Sequence, residues 1–170
     1  GAGLVAPGDV EEAEARIREN QSERDRILSG GDAALASQPT RLLFAYVHIV
    51  RDLRELGRFD EALNELSAAM ALGRRIDFGP WHAVLLNDAG EIHARQGRFD
   101  EARTAFTESL RLRDRDAERG HHELPYGVVP LEWQLARLAL CQGDLKEARR
   151  YQSDAERLLE EIPNRVRDIL

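Results

Sequence analysis

Few side chains in this sequence could do chemistry. His121, His122 and Glu123 are the one cluster with metal-ligating types. Three neighbours on a loop cannot easily converge on one ion, and no Cys or further His spacing completes a ligand shell. A solvated loop is expected there. Cys141 has no base beside it in sequence and reads as a small packed hydrophobe. His93 reads as a packed histidine, and Trp81 and Trp133, near helix starts, as core or seam residues. No defensible Ser/His/Asp spacing, phosphate-cradling Gly loop or metalloprotease motif is present. The expectation is a protein without catalytic residues, cofactor or metal; an enzyme using the His121/His122 loop is a remote alternative.

The elements available to position these residues follow from composition. The chain has 170 residues, 42% hydrophobic and 32% charged, enough for one domain with a core. Ala, Leu, Glu and Arg abound, while β-branched residues are sparse and never alternate as in a strand, which favours an all-α fold. Formal net charge is −7, from 24 basic and 31 acidic residues. That balance argues against nucleic acid or an anionic membrane as main partner, since both need a basic footprint. No apolar run approaches the roughly 18 residues of a membrane helix. Gly1–Pro7 lacks the charged region of a signal peptide, and a single cysteine fits a reducing compartment, so a cytoplasmic protein is expected.

Four segments begin alike: Gly8-Asp-Val-Glu-Glu-Ala13, Gly57-Arg-Phe-Asp-Glu-Ala62, Gly97-Arg-Phe-Asp-Glu-Ala102 and Gly143-Asp-Leu-Lys-Glu-Ala148. In the middle pair apolar or small residues continue in step, as Leu66, Ala69 and Leu72, then Phe106, Ser109 and Leu112; the last copy gives Gln152, Ala155 and Leu158. The register also runs backwards, through Val50 and Leu53, Gly90 and His93, and Ala136 and Ala139. Each position has a physical reason. The Gly ends one helix, where a left-handed residue without a Cβ is cheapest. Asp60 and Asp100 stand where the next helix opens, able to cap free N–H groups. Ala62, Ala102 and Ala148 are small because two helices approach closely there, and Phe59 and Phe99 fill the angle of the hairpin.

This pattern of helix A, Gly, then helix B opening on aromatic-x-x-Ala resembles the tetratricopeptide repeat family over nearly the whole chain. The resemblance implies a right-handed superhelical stack of antiparallel helix hairpins. The spacing departs from that family's commonest period of about 34 residues. Gly57 to Gly97 is 40, Gly97 to Gly143 is 46 and Gly8 to Gly57 is 49. Repeats near 40 resemble those of bacterial regulators, which implies a sensory or regulatory segment of a larger protein.

The expected organisation is a single domain over 1–170. A capping or partial-repeat helix spans 9–29, with Val10, Ala13, Ile17, Ile27 and Leu28 as its apolar stripe and Gly30-Gly31 as its end. Repeat 1 covers 40–76, repeat 2 covers 80–119 and repeat 3 covers 128–162, and a further helix starts in 163–170.

In tetratricopeptide arrays five helix A positions line the concave groove. By resemblance these are Phe44, Val47, Arg51, Arg54 and Glu55; Val84, Asn87, Glu91, Ala94 and Arg95; and Pro130, Trp133, Arg137, Leu140 and Cys141. Asn87 stands where the family often uses Asn to hold a ligand backbone. Arg51, Arg54, Arg95 and Arg137 would give a basic stripe within an acidic protein, suited to carboxylates, with Trp133 as an aromatic wall. No Lys occupies these positions, unlike the carboxylate-clamp version of the family. The alternative is that the arginines pair with Glu55 and Glu91 across the groove. The leading expectation is thus a scaffold for a protein or peptide, acidic in character, and the second is a self-association module forming a homo-oligomer.

Overall fold

A computed structural model describes residues 7–76, 81–118 and 131–161. The His121–Glu123 cluster, Pro130 and the 163–170 segment lie outside those residues. Among the described residues there are eight helices and no strand. They run α1 (Pro7–Ser29), α2 (Gly31–Ser37), α3 (Pro39–Glu55), α4 (Phe59–Gly73), α5 (Trp81–Arg95), α6 (Phe99–Glu118), α7 (Leu131–Cys141) and α8 (Leu145–Glu161). The all-α hairpin stack expected from the sequence is the observed class.

Three hairpins, α3–α4, α5–α6 and α7–α8, repeat one turn. Gly57, Gly97 and Gly143 have φ of +74°, +74° and +78°, the left-handed region that a Cβ disfavours. Each glycine N–H donates to the carbonyl three residues back, and the following N–H to the carbonyl five back. The pairs are Gly57 to Arg54 with Arg58 to Leu53, Gly97 to Ala94 with Arg98 to His93, and Gly143 to Leu140 with Asp144 to Ala139. These are Schellman caps, which satisfy carbonyls that the helix end would otherwise leave bare. Gly8 breaks the series. It lies in the first turn of α1 and closes no turn, so the leading copy carries the signature without the hairpin.

The aspartates divide in a way the sequence did not foretell. α4 starts at Phe59, with Arg58 at the N-cap and no side-chain cap bond, so Asp60 stands inside the first turn and acts only through the helix dipole. Asp100 has the equivalent place in α6. Asp144 sits two positions earlier in its copy, and its Oδ1 accepts from the Glu147 N–H at 2.9 Å.

Packing follows the small positions. Ala62, Ala69, Ala102, Ala139 and Ala155 are fully buried at helix crossings, and a first apolar cluster joins α1–α5 through Ile17, Ile27, Leu35, Leu42, Ile49, Leu53, Leu66 and Leu85. A second joins α6 and α7 through Ala102, Phe106, Leu131, Leu135 and Leu138, with Tyr151 of α8 against it. α1 lies along α3 and buries Ala13, Ile17 and Ile27, whereas Leu28 faces outward, contrary to its expected place in the stripe. Four ion pairs fasten α1 to the first hairpin: Arg16–Asp52, Glu14–Arg58, Glu23–Arg41 and Arg24–Glu65. α2 is an element the sequence reading missed. Seven residues give too little periodicity to register, yet Ala33, Ala34 and Ala36 are strong helix formers and Leu35 anchors them in the core.

Candidate binding groove

α3, α5 and α7 are the A helices, and contacts from α3 to α5 and from α5 to α7 set them side by side. α3 and α5 meet in two rungs. Phe44 and Trp81 pack edge to face with ring centroids 5.0 Å apart. Seven residues further along each helix, two turns and about 10 Å, Arg51 Nε stands 3.6 Å from Asp88 Oδ1. The upper rung is aromatic and half-open, with Phe44 exposed; the lower one is ionic.

From the lower rung a polar chain crosses all three A helices. Arg54 Nη1 donates to Asp88 Oδ1 at 3.2 Å and to Glu91 Oε2 at 2.6 Å, while its Nε reaches Glu55 Oε1 at 3.2 Å. Glu91 Oε1 accepts from Gln134 Nε2 at 3.0 Å, and Gln134 Oε1 accepts from Arg137 Nη2 at 2.7 Å. Arg95 Nη2 donates to Glu55 Oε1 at 3.2 Å. Two of the four expected arginines are therefore engaged at the lower rung: Arg54, largely buried, spans three carboxylates, and Arg51 shares Asp88. Arg95 and Arg137 remain exposed, Arg95 with one exposed carboxylate and Arg137 with an uncharged amide.

Asp88 is the centre of this arrangement, and the sequence reading passed over it. Its only signal was its phase: a carboxylate on the inward face of an A helix, three residues before Glu91 and seven after Trp81. Its side chain is 2% exposed. Burial raises its pKa to about 6, against the lowering effect of Arg51 and Arg54. Asn87 is also buried, and its Oδ1, like Asp88 Oδ2, has no hydrogen-bond partner. Asn87 thus stands beneath the surface rather than on it.

Towards α7 the face opens into a cleft of about 150 Å³ lined by Ala94, Arg95, Phe99, Phe106, Gln134, Arg137, Leu138 and Cys141. Phe99, Phe106 and Leu138 make an apolar floor, and Arg95 and Arg137 place two guanidiniums on its wall. Beside it Trp133 and Leu140, seven residues apart on one face of α7, are 49% and 56% exposed. Trp133 is thus an open side chain and not a seam residue. Val47 and Val84 are buried and serve packing, and Cys141 is exposed at the cleft. His93 is partly buried with an unpartnered Nδ1, and burial, helped by Arg98, lowers its pKa.

Among the described residues no group of three or more His, Cys, Asp or Glu is placed to hold a metal ion. No described helix is long and apolar enough to cross a membrane. Arg113 and Glu132 form a two-pronged bridge between α6 and α7, at 3.1 and 2.5 Å, which the sequence reading did not single out.

The hairpins built on Gly57 and Gly97 coincide with the match of a protein-family model. Residues 41–115 match the tetratricopeptide repeat, a repeat that generally mediates protein–protein interaction and typically serves as a non-catalytic scaffold. A search of curated proteins gave no match. Residues 41–115 thus carry tetratricopeptide repeats, and α7–α8, beyond the matched segment, repeats the same glycine-capped turn.

Proposed function

We propose that this protein is a scaffold that binds an acidic peptide, or an acidic segment of a partner protein, across the A-helix face. The observation that carries the reading is the cleft between α5, α6 and α7. It offers an apolar floor and two exposed guanidiniums within a protein of net charge −7. Charge-assisted bonds from Arg to carboxylate are among the stronger polar contacts, and an apolar floor supplies the desolvation that makes them specific. Arg95, Arg137 and Trp133 are the contacts we assign to the partner, with the partly exposed Arg51 beside them; Arg54, Asn87 and Glu91 form the polar layer behind. The resemblance of the 40-residue Gly57-to-Gly97 repeat to those of bacterial regulators supports a regulatory segment of a larger bacterial protein, and the single cysteine fits a cytoplasmic one.

The test is a titration of the ¹⁵N-labelled protein with a Glu-rich peptide at low ionic strength, followed by NMR. Shifts should concentrate on α5 and α7 and shrink as salt is added. Shifts confined to α1 and the outer faces of α4 and α6 would refute the reading.

Self-association is a second reading, favoured by Trp133, Leu140 and Leu145, three large apolar side chains that stand at least 49% exposed on α7 and α8. Light scattering across a concentration series decides it. A concentration-dependent dimer that Trp133→Ala abolishes would support it, and a monomer at all concentrations would exclude it.

A further inference from the structure

An acidic partner needs free cationic charge, and the structure sets part of that charge against one buried carboxyl. Asp88 lies between Arg51 and Arg54, and both guanidiniums meet the same oxygen, Oδ1, at 3.6 and 3.2 Å. The other oxygen, Oδ2, is buried without a partner. A carboxylate so placed carries its charge with half of its hydrogen-bonding capacity unused. A proton on Oδ2 would remove the charge without displacing either arginine by force.

The two arginines differ in what they keep. Arg54 retains Glu91 and Glu55 if Asp88 becomes neutral. Arg51, about a third exposed, has Asp88 as its carboxylate. We propose that Asp88 is a proton-operated counter-ion of the binding face, which when ionised neutralises Arg51 and when protonated releases Arg51 to an acidic partner. The proposal rests on the acidic-partner reading above and adds its regulation.

The surroundings support it. α3 presents Arg51 and Arg54 to Asp88, and α5 itself adds Glu91, whose like charge favours the neutral carboxyl. α7 sends Gln134 to Glu91, with Arg137 behind it. α4 shares the first apolar cluster with α5, and α6 meets α5 through Phe106 and Ser109. His93, on the same helix, responds instead to Arg98 and Glu101. Burial outweighs the arginines and holds the carboxyl near 6, so its charge changes close to neutrality. Linkage then runs both ways: an acidic partner that prefers the protonated form must draw a proton in as it binds.

The experiment measures the dissociation constant of a fluorescein-labelled Glu-rich peptide at low salt, for the wild type and for Asp88→Asn, at about pH 7.5 and about pH 5.5. The peptide's own carboxylates, with pKa about 4.3, stay largely ionised at both. Circular dichroism at each pH confirms equal helix content. The wild type should bind several-fold more tightly at the lower pH and take up protons on binding near pH 6, read by calorimetry in buffers of different ionisation heat. Asp88→Asn should bind at pH 7.5 as the wild type does at pH 5.5, with no step and no uptake from this site. An equal step in Asp88→Asn, or no step in a wild type that binds, overturns the proposal and leaves the acidic-partner reading standing. Absence of binding by either protein at both pH values overturns that reading and the proposal with it.

Discussion

Gly90 of α5 lies against the ring of Phe106 of α6, so close that a Cβ on the glycine would stand 2.5 Å from Cε1. Phe106 is 1% exposed, so its ring would have to shift to admit a Cβ at Gly90. The hairpin therefore uses the absence of a side chain at Gly90 to seat the largest side chain of its second core.

Gly90→Ala tests that contact. Alanine would gain helix propensity of up to about 1 kcal/mol, but overpacking a core costs about 1–3 kcal/mol. A net loss of stability is expected, seen as a lower midpoint in urea. A raised midpoint would mean that α5 and α6 are looser than the structure has them.

Ala102, fully buried at the second core, makes a parallel case from the other helix. Ala102→Leu should cost on the order of 1–3 kcal/mol. Glu108→Ala, which removes only a surface pair with Arg111, should leave the thermal melt almost unchanged. Equal melts for the two variants would contradict the repeat register.

The bridge between Arg113 and Glu132 should behave as a buried pair. Glu132 is 8% and Arg113 19% exposed by side chain. Glu132→Ala strands the arginine and should cost about 2–4 kcal/mol. Replacing both by Met should cost less than that single change, because no unpaired charge is left behind. A double variant worse than the single would show that the pair itself stabilises.

Asp88 also makes a prediction about stability and pH. Its folded pKa, about 6, lies above its ordinary 3.8, so the folded state holds this proton more tightly than the unfolded chain. The contribution of Asp88 to stability is then present in full below 3.8 and is lost as pH rises through 6. Asp88→Asn should accordingly be more stable than the wild type at pH 7.5, by about 1–3 kcal/mol, and the gap should close towards pH 4. Glu23 and Glu61 have the opposite sign. Their arginine partners lower their pKa values, so what they add fades as pH falls through the acid range. Denaturant melts at several pH values check both, and a gap that does not vary with pH would contradict the Asp88 assignment.

The hairpin frame was legible because its signals are local and repeated. A glycine that must be left-handed at Gly57, Gly97 and Gly143, and an alanine that must be small at Ala62, Ala102 and Ala148, recur in one register across three copies. What escaped depends on two helices at once. Asp60 and Asp100 have the composition of caps, but whether a helix begins at the aspartate or one residue before it is decided by the turn, and only Asp144 came early enough. The four groove arginines were visible as residues, and the alternative that they pair with Glu55 and Glu91 holds for Arg54 and Arg95. Asp88 escaped because nothing in the sequence says that α3 brings Arg51 and Arg54 to its level. The cleft escaped for the same reason, since Phe99 and Phe106 come from α6 while Gln134 and Leu138 come from α7.

Binding at the A-helix face is the centre of this account, and charge reversal at the cleft tests it most directly. The dissociation constant of the Glu-rich peptide should be measured for the wild type and for Arg95→Glu combined with Arg137→Glu, at low salt, with melting temperature as the control for folding. The double variant should lose binding by ten-fold or more, roughly 1.4 kcal/mol, while its melting temperature stays near that of the wild type. Unchanged affinity in a well-folded double variant would contradict the account.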